Sequence, residues 1–167
     1  MLVFKLLKEG KIEQLYLQLR QHDIEEKDDC GNTLLHRSVE SGDILLSIKL
    51  IDEYKANINA QDRFNHTCLI KAILNSDIKM IDMLLSKNAL VNLATDTGLT
   101  PIHLAIQLSN LEAVLLLYDK YDHIPPHPSG GNLIDHPENP NLIESNNFKI
   151  IDYKGKELNF EEIKKYG

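Results

Sequence analysis

Apolar residues along the first two-thirds of the chain recur at three- and four-residue intervals, the spacing of short helices with one buried face. They come in groups: Leu6, Leu7, Leu15 and Leu19; Ile44, Ile48 and Ile51; Ile78, Ile81, Leu84 and Leu85; then Ile102, Leu104, Ala105, Ile106, Leu111, Val114, Leu115 and Leu117. Gly10 and Gly42 interrupt the runs where a left-handed residue can close a helix, and Ser76 takes that place one unit later. The pattern therefore predicts pairs of short helices. The outer positions of the first pair are Lys5, Lys8, Lys11, Gln14 and Gln18, the polar face that a terminal unit must show to water.

The pairs repeat. Gly31-Asn32-Thr33-Leu34-Leu35-His36 returns as Asn65-His66-Thr67-Cys68-Leu69-Ile70, and again as Gly98-Leu99-Thr100-Pro101-Ile102-His103. Thr33 to Thr67 is a step of 34 and Thr67 to Thr100 a step of 33. Ala56-Asn57-Ile58-Asn59 and Ala89-Leu90-Val91-Asn92 keep the same beat. A fixed period of this length means stacked copies of a unit too small to bury its apolar face alone. The units run over 28–61, 62–94 and 95–122, preceded by a cap over 4–27. Ser38, Ala72 and Ala105 share one helix position, where small side chains let two helices approach closely. Each threonine is placed to cap the helix that follows it.

Thr100-Pro101-Ile102-His103-Leu104-Ala105 resembles the first-helix signature of the ankyrin repeat, Thr-Pro-Leu-His, and the two earlier copies resemble it in register. The longer first step fits one extra residue within Glu53-Tyr54-Lys55. The resemblance implies an all-α ankyrin-repeat solenoid over residues 1–123, built of paired antiparallel helices joined by β-turn or hairpin connections. It implies that His36 and His103 hydrogen-bond and pack between neighbouring units. It further implies a concave, protein-binding face made of turn tips and inner helix positions. Carried onto this sequence, that face comprises Arg37, Arg63, Phe64, His66, Lys71, Asp96, Leu99, Leu104 and Leu108. Phe64 would be an exposed aromatic at a tip, a residue type common among interface hot spots. Leu104 and Leu108, one helical turn apart, would form an apolar patch.

Beyond this the pattern stops. Residues 124–147 hold five of the six prolines and Gly130-Gly131, which excludes regular helix and predicts a loop or insertion. Phe148 to Tyr153 reads as a short strand, Lys154-Gly155 as a turn, and Asn159-Phe160-Glu161-Glu162-Ile163 as a helix start. Residues 148–167 thus form a short hairpin plus helix, with a degenerate fourth repeat as the implied origin.

Composition narrows the function. An apolar fraction of 43% is enough for a packed core, and a net charge of −7 argues against a general nucleic-acid surface. The two cysteines, Cys30 and Cys68, do not make a disulfide framework, which fits a reducing, cytoplasmic setting. The N-terminus has no long apolar stretch, and no run approaches about 18 apolar residues, so no membrane partner is expected.

Three clusters could carry chemistry. Cys30 and His36 lack any protease context. His123, His127 and His136, with Asp135 and Glu138, match no metal-ligand spacing and read as a solvated loop. Gly130-Gly131 lacks the lysine and setting of a phosphate loop. The chain is therefore expected to be a monomeric protein-interaction module, not an enzyme, with no cofactor or metal. The alternative is the targeting or substrate-recruiting part of a larger enzyme or of a secreted bacterial effector, which would place it in a host cytosol.

Overall fold

The computed structural model describes residues 2–19, 21, 23–118 and 120, with three short strands further on. The chain divides into two compact units, Met1–Leu90 and Val91–Gly167.

The first unit holds three helix pairs: α1 (Leu2–Lys8) with α2 (Ile12–Leu19), α3 (Leu34–Glu40) with α4 (Ile44–Asp52), and α5 (Cys68–Leu74) with α6 (Ile78–Ser86). Successive pairs stack, α3 on α5 and α4 on α6. The first helix begins at Leu2 and buries Val3 and Leu6.

Side-chain caps start the four helices α3 to α6. Thr33 and Thr67 sit at the N-caps of α3 and α5, and their hydroxyls accept from the N–H groups of His36 and Ile70. Asp43 and Asp77 cap α4 and α6, accepting from Leu46 N–H (3.0 Å) and Met80 N–H (3.1 Å). Gly10, Gly42 and Ser76, at φ +67°, +71° and +54°, turn the chain between paired helices. Serine is strained in that region and glycine is not.

The core of this unit is aliphatic. Leu15, Leu50, Leu69, Ile70, Ile73, Met80, Ile81 and Leu84 are wholly buried. Each contributes about 1.5–3 kcal/mol relative to exposure. Ser38 is buried at the close helix approach, where its hydroxyl meets Ser47 Oγ at 2.9 Å.

The second unit contains α7 (Pro101–Gln107) and α8 (Leu111–Tyr118), which pack together. Pro101 occupies the first turn of α7, where its missing N–H costs nothing. Asn110 accepts from Ala113 N–H (3.0 Å) at the start of α8. Ile102, Ala105, Ala113 and Leu117 are buried. Beyond them lie β1 (Leu142–Ile143), β2 (Ile150–Ile151) and β3 (Glu157–Leu158), an antiparallel sheet in that order. Strand β2 falls inside the strand expected at 148–153, whereas β1 lies in the stretch read as a loop. The expected helix start at 159–163 and the histidine cluster at 123, 127 and 136 lie outside the described residues.

Candidate functional site

The turn tips are built on aspartates. Asp28 Oδ1 accepts from the N–H groups of Cys30 and Asn32, both at 2.9 Å. Asp62 Oδ1 accepts from Phe64 N–H and His66 N–H, also at 2.9 Å. In the second unit, Thr95 takes the same role, its hydroxyl accepting from Leu99 N–H at 3.1 Å. The tip residues Gly31, Asn65 and Gly98 all have positive φ, at +80°, +58° and +82°. At Gly31 a Cβ would lie 2.8 Å from the Arg63 backbone nitrogen, so the approach of adjacent tips requires glycine there.

Nine residues after each tip aspartate stands a cation. Arg37 binds Asp28 through Nε at 2.7 Å and Glu40 through Nη1 at 2.8 Å. Lys71 binds Asp62 and Glu40, both at 2.8 Å. Asp28, Arg37, Glu40, Lys71 and Asp62 thus form one chain of charges across two repeats, with Glu40 bridging them. Burial alone would raise Asp62; the hydrogen bond from Lys71 and those from the His66 and Phe64 N–H groups hold it below its ordinary value instead. Glu40 behaves likewise, with Lys71 and then Arg37 overcoming its burial. In the second unit the corresponding pair is Thr95 and Leu104: acid and cation are both replaced by uncharged residues.

These contacts place the expected site residues unequally. Arg37 and Lys71 are engaged inside the protein, so they are not idle cations awaiting a partner. Leu104 is 8% exposed and Leu108 45%, so the two do not share an open apolar patch. The reason is visible in the equivalence: Leu104 stands where Arg37 and Lys71 run along the helix surface toward their tip acids. Arg63 is exposed, with its guanidinium donating to the Asp29 carbonyl. Phe64 is 51% exposed, with its ring 5.8 Å from that of His66. Asp96 is exposed and Leu99 half-buried. Leu74, exposed at the end of α5, carries no mark in the sequence beyond the helix period yet stands one turn from Lys71.

Neither His36 nor Cys30 is arranged for catalysis with the other. His36 is fully buried; its Nδ1 accepts from Thr33 N–H (3.2 Å) and its Nε2 lies 3.0 Å from the His66 carbonyl oxygen. The ring therefore carries its proton on Nε2 and joins one repeat to the next. Burial, first of all, holds its pKa below the ordinary 6.5. His103 Nδ1 accepts from Thr100 N–H in the same way, at 3.2 Å. Cys30 is exposed, Cys68 is buried with its thiol pushed up by desolvation, and neither is in a disulfide. Among the described residues no group of three or more metal-ligating side chains converges, and no helix is long and apolar enough to cross a membrane.

The profile for the family described as "Ankyrin repeats (3 copies)" matches residues 3–94 and 45–126. A protein of Fowlpox virus (strain NVSL) named for its ankyrin repeats is 36% identical over 93 residues, covering 53% of this chain and 27% of its own length. A second, similarly named protein of the same virus is 29% identical over 86 residues, covering 52% of this chain and 20% of its own. The chain belongs to the ankyrin-repeat family. It spans about a quarter or less of the curated relatives it matches.

Proposed function

We propose that this chain is a protein-binding module that captures its partner on the concave face formed by the turn tips and inner helices, and that it does no chemistry of its own. The observation that carries this reading is the tip at 62–66. A half-exposed aromatic, Phe64, is mounted on a turn whose backbone is fixed by Asp62 and by the adjacent tip at Gly31. A rigid, exposed aromatic binds at low entropic cost. Leu74 adds exposed apolar area on the same repeat. In the first unit the face is Phe64, Leu74, Arg63 and His66, with Arg37 and Lys71 as its framework; in the second unit the candidate residues are Asp96, Leu99 and Leu108.

The unpaired cysteines support a reducing compartment. The viral source of the relatives supports a host-cell cytosol over a bacterial origin. Their much greater length supports a second reading, in which the same face recruits a substrate to a longer protein. Monomeric behaviour of the chain without a partner goes with either.

The test is affinity capture from cell lysate with the wild-type chain and with Phe64→Ala/Leu74→Ala, read by quantitative mass spectrometry. Both residues are exposed, so the double variant should keep its melting temperature while losing the captured protein. A full-strength Phe64 contact corresponds to about a thirtyfold loss of affinity. Unchanged capture by the double variant removes this face from consideration.

A further inference from the structure

We draw no further inference here: the strongest candidate, the exposed apolar side chains Leu17 on α2 and Leu45 on α4, carries nothing because nothing in the structure shows what covers them.

Discussion

Lys71→Leu is the most informative single change, because the protein already contains its counterpart. Lys71 holds Asp62 and Glu40 at 2.8 Å with its side chain 12% exposed, and the Asp62 side chain is 2% exposed. Removing one member of a buried pair costs about 3–5 kcal/mol, because a charge is left without its partner. Two features reduce that here. Asp62 keeps two backbone donors, and Glu40, 28% exposed, keeps Arg37. A loss of about 2–3 kcal/mol is expected, which lowers the melting temperature by about 5–10 °C. Asp62→Thr alone leaves Lys71 with Glu40 only and should cost a similar amount.

The double variant Asp62→Thr/Lys71→Leu reproduces the Thr95 and Leu104 pair. Thr95 shows that a hydroxyl can accept the tip N–H in place of the carboxylate, and Leu104 that a leucine at this position is buried. The double variant should therefore recover at least half of the summed single losses of about 4–6 kcal/mol, a coupling of about 2–3 kcal/mol. Urea unfolding of all four proteins, followed by circular dichroism, measures it. Losses that add to within about 0.5 kcal/mol would refute the claim that acid and cation act as one exchangeable unit.

Gly31→Ala should lower stability by about 2 kcal/mol or more, since φ is +80° and the new Cβ would meet the Arg63 backbone; a melting temperature within a degree of wild type would contradict the tip packing. Ser76→Gly, at φ +54°, should instead raise stability by about 0.5–1 kcal/mol in the same assay. Stability should fall on acidification in two stages. His36 is held below its ordinary 6.5, so its contribution is complete above that value and is lost as pH falls from 6.5 through the depressed value. Asp28, Glu40 and Asp62 are also held low, so theirs is present above the ordinary carboxylate values of 3.8 and 4.5 and is lost below them. In His36→Gln the slope of unfolding free energy against pH between 6.5 and 5 should shrink; an unchanged slope would assign it elsewhere. A thiol reagent should label Cys30 in the folded chain and spare Cys68, and mass spectrometry of the labelled peptides checks this.

The repeat itself is readable because its strongest constraints are local. Thr33, Thr67 and Thr100 mark helix starts, Gly42 and Ser76 mark the reversals, and helix-period apolar residues mark the core. The second set of caps, Asp43, Asp77 and Asn110, was equally available: each is a short polar side chain just before an apolar run. The charge chain left a signal too, in the nine-residue spacing from Asp28 to Arg37 and from Asp62 to Lys71. What spacing could not give was direction. A cation on an inner helix face looks available for a partner until the structure shows it turned onto its own tip, and Leu104 looks exposed until the same path is traced from its position. Exposure at Phe64 and Leu74 depends on how neighbouring tips and helices cover each side chain, which no local pattern encodes.

Hydrogen exchange of the chain with and without its captured partner tests partner binding by the repeat tips most directly. Added protection is expected at the amides of 28–32 and 62–66 and along the first turns of α3 and α5. Protection that leaves both tips unchanged and appears only elsewhere would contradict it.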